Sequence, residues 1–380
     1  MMRYLVLCLV LALHLWAISV VDMRGKSVEI PQNLTKIATI SDGFVEGVLT
    51  HLGEIDKVSA IASWSFKRDY KYIIKGKDKE RQYAGLNTMK ALHPWLNDLP
   101  CFNSPQGNII NYETLITSKP ELIILRVGDC TVGGADKAAL EKTLSILEAT
   151  KIPLVVLYSP TYTKDLATMK DEMRIIGDIF GKSQKALALY DYITSIEKMV
   201  QDRVKNVANK PNILYLGLSL ALKKNGASAI TYGLDTPESW VLENIVNAKN
   251  AFRQSGGSRV VLSAEQIYSL NPDVILLPTY NGYHPAFEIY ESEGYSNLNQ
   301  LKAIKEQRVY SLPWTPMNCS RRLEYPLEIL IIAKAAYPQL FKDINIGEFA
   351  LEFYKKLYNV DDDGAKMLRK TQLIDWTQQF

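Results

Sequence analysis

One short segment of this sequence occurs twice, and the second copy starts 152 residues after the first. Residues 113–125 align without a gap on residues 265–277. Each copy reads as a short helix that begins with an acidic residue, followed by a proline, an acidic turn residue and a wholly apolar strand. Proline cannot continue a helix, and an all-apolar strand suits a parallel sheet that is covered on both faces. The repeat therefore predicts two similar α/β lobes, which can enclose a small ligand in the cleft between them.

A long helix is predicted between the two copies. Over residues 183–207 the apolar side chains recur at helical spacing. A helix of about 24 residues would be roughly 36 Å long, enough to run along both lobes and fix their relative orientation. We therefore expect an N-terminal α/β lobe over residues 20–160, connecting helices over 161–208 and a C-terminal α/β lobe over 209–380. Each lobe is expected to contain a central sheet.

Length and charge limit the class of partner. At 380 residues the chain is long for one hydrophobic core and comfortable for two. The formal net charge of +3 is small for this length, and no block of basic residues stands out. Nucleic-acid binding therefore has no support in the sequence.

Residues 1–19 have the pattern of a cleavable export signal. A basic start at Arg3 precedes an apolar run that ends at Ile18, and small residues then favour cleavage after Ser19. The run is short for a membrane span, which needs about 20 apolar residues. Cys8 lies near the start of the run rather than at its end, so a lipid anchor is not expected. We expect the mature chain to lie in the periplasm.

Removal of that signal leaves three cysteines, Cys101, Cys130 and Cys319, so at most one disulfide can form. The spacing of these cysteines and of the histidines matches no zinc motif. We therefore predict no intrinsic cofactor and no metal site. His284, beside Tyr283, is a weak candidate for direct ligation of a metal or haem.

Ligands in open α/β sheets bind beyond the carboxyl ends of the strands. That rule selects the polar and aromatic residues that follow the predicted strands, namely Ser41, Asp42, Ser63, Trp64, Arg126, Ser219, Tyr280, Asn281 and Trp314. Arg126 and Tyr280 follow the two equivalent strands of the repeat, so we expect them to face each other across the cleft. Residues 67–111 show no sustained periodicity and are predicted to form long surface connections.

The densest polar and aromatic cluster of the C-terminal half runs from Trp314 to Arg322. The guanidinium groups of Arg321 and Arg322 suit carboxylates or other oxyanions, and an indole ring suits a flat or cationic part of a chelate. Plain structural alternatives exist for the same residues. Arg322 can form a surface ion pair with a glutamate that follows it, and Trp64 and Trp314 can pack in the core.

Several stretches, in their order and spacing, resemble the substrate-binding proteins of ABC importers for iron-siderophores, haem and cobalamin. They cover nearly the whole chain after the export signal, at residues 22–31, 52–58, 111–124, 263–275 and 333–344. The resemblance implies two α/β lobes joined by one long helix, with little hinge motion. It implies no catalysis.

The resemblance also implies a docking role for two glutamates. Proteins of this kind present one glutamate on the outer face of each lobe to arginines of the membrane permease, and the matching residues are Glu113 and Glu243. A carboxylate that pairs with arginine provides both orientation and electrostatic steering. Without the resemblance, Glu113 is a helix-terminus residue and Glu243 is a solvated helix residue.

The cargo class follows from the same resemblance. We expect a monomer that captures a metal chelate, ferric-siderophore first, and delivers it to the permease subunits of an ABC importer, with Arg126 and Arg321 neutralising an anionic chelate. Cobalamin, haem, a nickel complex and a molybdate-type oxyanion are alternatives within that role. An exported enzyme that holds a metal cluster on a similar two-lobed scaffold is a lower alternative, because the three cysteines have no supporting motif.

Overall fold

The computed structural model describes residues 17–103, 109–219, 228–257, 259–279, 282–316 and 322–380. Within these ranges the strands are β1 Ala17–Val21, β2 Ser27–Pro31, β3 Ile37–Ile40, β4 Val58–Ile61, β5 Tyr70–Lys75, β6 Glu80–Gly85, β7 Leu122–Val127, β8 Leu154–Tyr158, β9 Asn212–Tyr215, β10 Gly217–Leu218, β11 Ala229–Thr231, β12 Lys249–Asn250, β13 Val260–Leu262, β14 Val274–Leu277 and β15 Val309–Ser311.

The helices of the same ranges are α1 Phe44–Leu52, α2 Thr88–Leu92, α3 Tyr112–Thr117, α4 Lys137–Ala149, α5 Pro160–Thr163, α6 Thr168–Ile179, α7 Ser183–Val204, α8 Pro237–Trp240, α9 Ala264–Leu270, α10 Ala286–Glu291, α11 Lys302–Lys305, α12 Tyr325–Ala336, α13 Ile346–Tyr358 and α14 Asp362–Thr371. Short helical turns of narrower or wider pitch lie at Ile55–Lys57, Trp64–Lys67, Pro94–Asn97, Val241–Ile245, Glu293–Leu298 and Asp375–Gln379.

The N-terminal lobe contains a four-stranded parallel sheet in the order β4-β3-β7-β8. Every residue of β3 and β7 is buried. Alternate residues of β7 contribute to two different cores, with Leu122 and Ile124 in one and Ile123 and Leu125 in the other. Because both faces of the sheet are covered, its strands are mostly apolar in sequence.

The C-terminal lobe contains a second parallel sheet, in the order β12-β9-β14-β15. The repeated strands β7 and β14 occupy the same third position in the two sheet orders, and each follows a short helix, α3 or α9. The fold of two similar α/β lobes that the repeat predicts is confirmed. A small antiparallel sheet, in the order β10-β11-β13, also belongs to this lobe.

The long connecting helix is present as α7, which ends three residues before the predicted end at residue 207. Its buried residues recur at helical spacing and include Leu189, Ile193 and Val200. They belong to a core cluster that also contains Ile37 of the first sheet and Ile213 of the second. The helix therefore joins the lobes through a shared hydrophobic core.

Residues 67–111 contain structure that the sequence analysis did not predict. Strands β5 and β6 pair as an antiparallel hairpin, and α2 follows with Asn87 as its N-cap. Burial alternates along β5, where Tyr72 and Ile74 are half-buried and Ile73 is exposed. An exposed isoleucine among lysines hides the period of two, so the prediction of long surface connections was wrong for this hairpin.

The last helices pack against the N-terminal lobe. Helix α13 lies on α1, where Nδ1 of His51 is 2.9 Å from the carbonyl oxygen of Leu357. Gly47 of α1 packs against Leu323 and Tyr358. Helix α14 lies against α2 and β6. The segment that follows residue 209 therefore also supplies helices that cover the N-terminal lobe.

The described chain begins in a hairpin. Strand β1 pairs with β2 from Ala17 onwards, with Gly25 at a φ of 76° in the turn. The predicted cleavage after Ser19 falls inside β1 and would leave Val20 and Val21 of that strand, while residues 1–16 lie outside the described ranges. Among the residues that the structure describes, no helix is long and apolar enough to span a bilayer.

Candidate functional site

A cavity of about 350 Å³ lies between the two lobes. Its walls come from segments that follow β8 of the N-terminal lobe and β9, β11, β14 and β15 of the C-terminal lobe. The carboxyl ends of parallel strands are where α/β folds bind ligands. Its lining, among described residues, is Thr161, Lys164, Tyr215, Tyr232, Asp235, Thr236, Pro237, Glu238, Gly257, Pro278, Thr279, Leu312, Pro313, Thr315, Arg322, Glu324, Tyr325, Glu328 and Gln372.

Lys164 is the cationic residue that the N-terminal lobe adds to the cavity wall. It follows α5 in the left-handed conformation, with a φ of 63°. Its side chain is exposed, and it has no carboxylate partner within the described part of the chain. Its ammonium charge is therefore available to an anionic group of a ligand.

Arg322 is the cationic residue that the C-terminal lobe adds to the cavity wall. Only 6% of it is exposed, and its Nε donates a hydrogen bond to the carbonyl oxygen of Asp42, in the N-terminal lobe, at 2.6 Å. A second guanidinium nitrogen, Nη2, donates to the carbonyl oxygen of Pro316. The side chain lies over Gly43, where an added Cβ would be 3.0 Å from Nε. Arg322 therefore connects the two lobes at the edge of the cavity.

Hydroxyl groups form much of the remaining lining. Tyr215 and Tyr232 pack edge to face, with ring centroids 5.3 Å apart. The hydroxyl of Tyr325 donates a hydrogen bond to the carboxylate of Glu197 on α7. Four threonines add further hydroxyls. Because a hydroxyl both donates and accepts hydrogen bonds, the cavity suits a hydrophilic ligand.

The charges of the described lining are of both signs. Its cations are Lys164 and Arg322, and its acids are Asp235, Glu238, Glu324 and Glu328. Asp235 accepts hydrogen bonds from the backbone N–H groups of Gly256 and Gly257 at 3.0 and 3.1 Å, and the first of these lowers the pKa of Asp235. Such a lining suits a ligand that itself carries anionic and cationic groups.

Arg126, a predicted ligand residue, lies inside the N-terminal lobe. It is fully buried, and its Nε and Nη2 donate to the two carboxylate oxygens of Glu172 at 2.6 and 3.0 Å. Its Nη1 donates to Asp129 at 2.8 Å, and its guanidinium carbon lies 3.8 Å from the ring centre of Phe44. Arg126 is not part of the described cavity lining. Its charge is compensated by buried carboxylates of its own lobe.

Buried polar groups hold the N-terminal edge of the cavity. Asp42 accepts hydrogen bonds from Oγ of Ser63 at 2.7 Å and from the backbone N–H of Thr131 at 2.9 Å. Asp129 accepts one from the backbone N–H of Asp42 at 3.0 Å. Burial, followed by the nearby Asp129, raises the pKa of Asp42, and burial raises the pKa of Glu46 to about 7. The predicted ligand residues Asp42 and Ser63 therefore bind each other.

The two predicted ligand tryptophans do not line the cavity in its described part. Trp64 begins a single helical turn and is half-buried. Trp314 is 1% exposed, and its Nε1 donates to the hydroxyl of Tyr72 at 3.0 Å. Its indole packs on Gly85, where an added Cβ would lie 2.6 Å from the ring. Trp314 thus has the core-packing role that was its structural alternative.

Tyr280, Asn281, Cys319 and Arg321 lie outside the described residues. Of the predicted ligand set, the structure therefore brings Arg322 to the cavity. Nδ1 of His284 lies 2.8 Å from a carboxylate oxygen of Glu288. Among described residues no group of three or more histidine, cysteine, aspartate or glutamate side chains could hold a metal ion.

The described cysteines differ in state. Cys101 has a free thiol, and burial raises its pKa. Cys130 is in a disulfide, and its partner lies outside the described residues. A buried thiol with a raised pKa is a poor nucleophile, so Cys101 has the properties of a structural residue.

The two predicted docking glutamates lie on different lobes. Glu113 is exposed in the first turn of α3, which Asn111 caps by accepting a hydrogen bond from the backbone N–H of Thr114 at 3.0 Å. Glu243 lies in the wide turn Val241–Ile245 and accepts hydrogen bonds from the guanidinium of Arg253 and from the backbone N–H of Asn250. The side chain of Glu243 is still 32% exposed.

Sequence reasoning missed most of the cavity lining. The strand-end rule, applied also to β8, would have selected Thr161 and Lys164. Tyr232 follows β11, whose three residues are too few to show a period. Gln372 reaches the cavity from beyond α14, and no local pattern places it there.

Comparisons with known proteins agree with this architecture. Residues 77–315 match the sequence model of a family described as periplasmic binding protein. The molybdate-binding protein MolA of Haemophilus influenzae is 22% identical over 274 residues, which are 66% of this chain and 70% of MolA. The structure of MolA bound to molybdate has a TM-score of 0.64 at 19% identity and covers 90% of this chain and 98% of that one.

Two further solved structures share the fold. A periplasmic solute-binding protein from Veillonella parvula has a TM-score of 0.72 at 21% identity and covers 94% of this chain and 99% of its own. The nickel–histidine complex of Helicobacter pylori CeuE has a TM-score of 0.59 at 19% identity, with 92% and 98% coverage. Since the family model matches more than half of the sequence, this chain belongs to the periplasmic binding protein family.

Proposed function

We propose that this protein is an exported solute-binding protein that captures a metal chelate, with ferric-siderophore as the first candidate, and delivers it to an ABC importer. The observation that carries the proposal is the cavity between the lobes, which combines hydroxyl groups with side chains of both charges. A chelate joins anionic metal-binding oxygens to polar substituents. That combination needs donors, acceptors and at least one available cation.

Two cations of the cavity lining support an anionic part of the cargo. Lys164 has no carboxylate partner within the described chain, and Arg322 is oriented by backbone carbonyls. Carboxylates of the same lining suit the basic or hydroxyl groups of a chelate. Haem suits the lining less well, because the apolar side chains of its described part are Leu312 and three prolines.

Molybdate is the second candidate, and the similarity to MolA favours it. A compact oxyanion would need several donors around one point. The hydrogen-bond donors of the described lining include Lys164, Arg322 and the hydroxyls of its threonines and tyrosines. A chelate would occupy more of the cavity than molybdate and would also contact the acidic wall.

Delivery would use Glu113 and Glu243 as contacts for permease arginines, one on each lobe, by a monomer. Both carboxylates are at least partly exposed, and they lie on separate lobes as a two-point contact requires. Export would use the predicted cleavable signal at residues 1–19. Tyr280 and Arg321 remain predicted contributors to the cargo site.

Calorimetric titration of the mature protein tests the cargo. The panel contains ferric citrate, a ferric catecholate, a ferric hydroxamate, nickel–histidine, molybdate, haem and cobalamin. We expect saturable binding of one ferric chelate, weakened roughly tenfold, about 1.4 kcal/mol, by Lys164→Met. Lys170→Met, which removes an exposed lysine of α6, is the matched control and should bind as the unchanged protein does.

The panel separates the competing outcomes. Tight binding of molybdate alone, with no chelate bound, would replace the first candidate by the second. Equal loss of affinity in the Lys164 and Lys170 variants would show that the cavity is not the binding site. If no ligand of the panel binds, the proposed capture of a metal-containing cargo is contradicted.

A further inference from the structure

The β5–β6 hairpin of the N-terminal lobe reaches onto the C-terminal lobe. At its turn, the backbone N–H of Lys77 donates to the carbonyl oxygen of Glu291, at the end of α10, at 3.0 Å. An added Cβ on Gly76 would lie 2.6 Å from the ring of Phe287. The guanidinium of Arg81 lies 4.2 Å from the centre of the same ring. The hairpin is therefore anchored on α10.

Near its other end, the hairpin holds Trp314 of the C-terminal lobe. The indole donates to the hydroxyl of Tyr72 at 3.0 Å and lies 5.0 Å, between centroids, from the ring of Tyr70. Three indole atoms approach Gly85 so closely that an added Cβ would be 2.6 to 2.8 Å from them. A side chain at position 85 would therefore have to displace the indole.

Trp314 stands between two residues of the cavity wall. Pro313 and Thr315 both line the cavity, whereas Trp314 is buried against the hairpin. The backbone N–H of Trp314 donates to the carbonyl oxygen of Gln372 at 2.8 Å, and Gln372 also lines the cavity. Any displacement of the indole is thus transmitted to the wall on both sides of it.

A second contact from the same part of the N-terminal lobe holds Gln372. Its Nε2 donates to Oγ1 of Thr88, the first residue of α2, at 3.0 Å. Its Oε1 accepts a hydrogen bond from the buried hydroxyl of Tyr354. Gln372 is 2% exposed, so these bonds are shielded from water. The hairpin, through Trp314, and α2, through Gln372, therefore hold the cavity wall on the side that faces away from the cavity.

We infer that Tyr72, Gly85 and Thr88 are positioning residues for the cargo cavity. Tyr72 and Gly85 determine the positions of Pro313 and Thr315 through their contacts with Trp314. Thr88 determines the position of Gln372 through a direct hydrogen bond. The inference rests on the proposed function in one respect, that this cavity holds the cargo. None of the three positioning residues is part of the described lining, so they act through the wall and not on the ligand. Because a protein interior is close-packed and transmits strain, a change at one of these three residues should also displace the cavity wall.

Gly85→Ala tests the inference, and Gln82→Ala, an exposed position of the same strand, is the matched control. The readouts are hydrogen exchange of the ligand-free protein over residues 309–316 and the affinity for two probes, ferric citrate and molybdate. We expect Gly85→Ala to speed exchange in that segment at least fivefold and to weaken the bound probe at least fivefold. Gln82→Ala should change neither.

A compensating variant distinguishes positioning from general damage. In Gly85→Ala with Trp314→Phe, the smaller ring leaves room for the new Cβ, and exchange and affinity should return towards those of the unchanged protein. Tyr72→Phe removes only the hydrogen bond to the indole and should give a smaller change in the same direction. It also serves if Gly85→Ala does not fold.

Two results would overturn the inference. One is unchanged exchange over residues 309–316 in folded Gly85→Ala and Tyr72→Phe. The other is a loss of affinity that the second substitution at Trp314 does not restore. If exchange responds as expected while neither probe binds even the unchanged protein, the choice of cargo fails and the positioning of the wall stands.

Discussion

The Nε atom of Arg322 donates a hydrogen bond to the carbonyl oxygen of Asp42 across the boundary between the lobes, at 2.6 Å. The same guanidinium donates to the carbonyl oxygen of Pro316. Backbone carbonyls accept hydrogen bonds and so orient the guanidinium. The position of Arg322 at the edge of the cavity therefore depends on the relative orientation of the two lobes.

Arg322→Lys should therefore affect both stability and binding. One ammonium group cannot reproduce the fork that reaches two carbonyls. We expect the free energy of unfolding to fall by about 2 kcal/mol and the cargo affinity to fall roughly tenfold. Urea unfolding and calorimetry measure the two quantities. Arg174→Lys, on α6, should change neither, and an unaltered affinity in Arg322→Lys would remove that residue from the site.

Arg126→Met should destabilise the protein by about 3–5 kcal/mol, because it leaves Glu172 without its partner in a fully buried place. Adding Glu172→Met should restore a large part of that loss, since the stranded carboxylate is removed with it. Denaturant unfolding of the four proteins of this cycle checks the expectation. Cargo affinity of the folded variants should stay unchanged, and a selective loss of affinity would instead give Arg126 a direct role in binding.

Glu46 should make stability depend on pH. Burial raises the pKa of this carboxyl to about 7 in the folded protein, from an ordinary value of 4.5. Between these values the folded state retains a proton that the unfolded state has lost, so this contribution to stability is complete below pH 4.5 and is lost as the pH rises through 7.

Glu46→Gln removes that dependence. The variant should be more stable than the unchanged protein at pH 8 by up to about 3 kcal/mol and similar to it at pH 4. Urea unfolding of both proteins from pH 4 to pH 8 measures the difference between their free energies of unfolding. Other buried acids titrate in both proteins, so their contributions cancel in this difference. A constant difference across this range would contradict the expectation.

Charge reversal at the docking residues should separate delivery from capture. Glu113→Arg and Glu243→Arg should each abolish importer-dependent uptake and leave cargo affinity unchanged, since neither residue lines the described cavity. Proteoliposomes that contain the importer measure cargo uptake, and calorimetry measures cargo affinity. Glu141→Arg, at an exposed position of α4, is the control. Retained uptake in both docking variants would contradict the assignment.

Arg253→Ala should strengthen docking. Arg253 pairs with Glu243 within this protein, and a permease arginine would have to compete with it. The pair is partly exposed and therefore weak, so we expect at most about a fivefold gain in affinity for the importer, corresponding to about 1 kcal/mol. The gain should shrink at high salt, because salt screens exposed charges. Weaker docking in this variant would mean that Arg253 itself contacts the partner.

The parts of the fold that could be predicted from the sequence are those set by local chemistry. The duplicated helix, proline and apolar strand led to two sheets because each strand is buried on both faces, as Leu122 and Ile123 of β7 show. Helix α7 could also be predicted locally, because its buried residues, such as Leu189 and Ile193, recur at helical spacing. Such patterns are complete within a few residues.

The candidate site could be predicted only in part, because burial and long-range pairing decide which side chains face the cavity. Arg126 lies near the carboxyl end of the core strand β7, where a ligand residue could lie, but Glu172, 46 residues later, pairs with it in the interior. Trp314 looked like a ligand residue until a hairpin from 242 residues earlier covered it. No local pattern in the sequence encodes either pairing.

The packing of α13 on α1 restricts the order in which this protein can be completed during synthesis. His51 and Leu357 are 306 positions apart, yet they are in contact where α13 packs on α1. Ribosomes and translocation channels deliver a chain from its N-terminus, so the first lobe emerges long before the helices that cover it. The core of the first lobe cannot be completed before α13 and α14 have been delivered. This delay is compatible with passage through a narrow translocation channel, because only an unfolded polypeptide can be threaded through it.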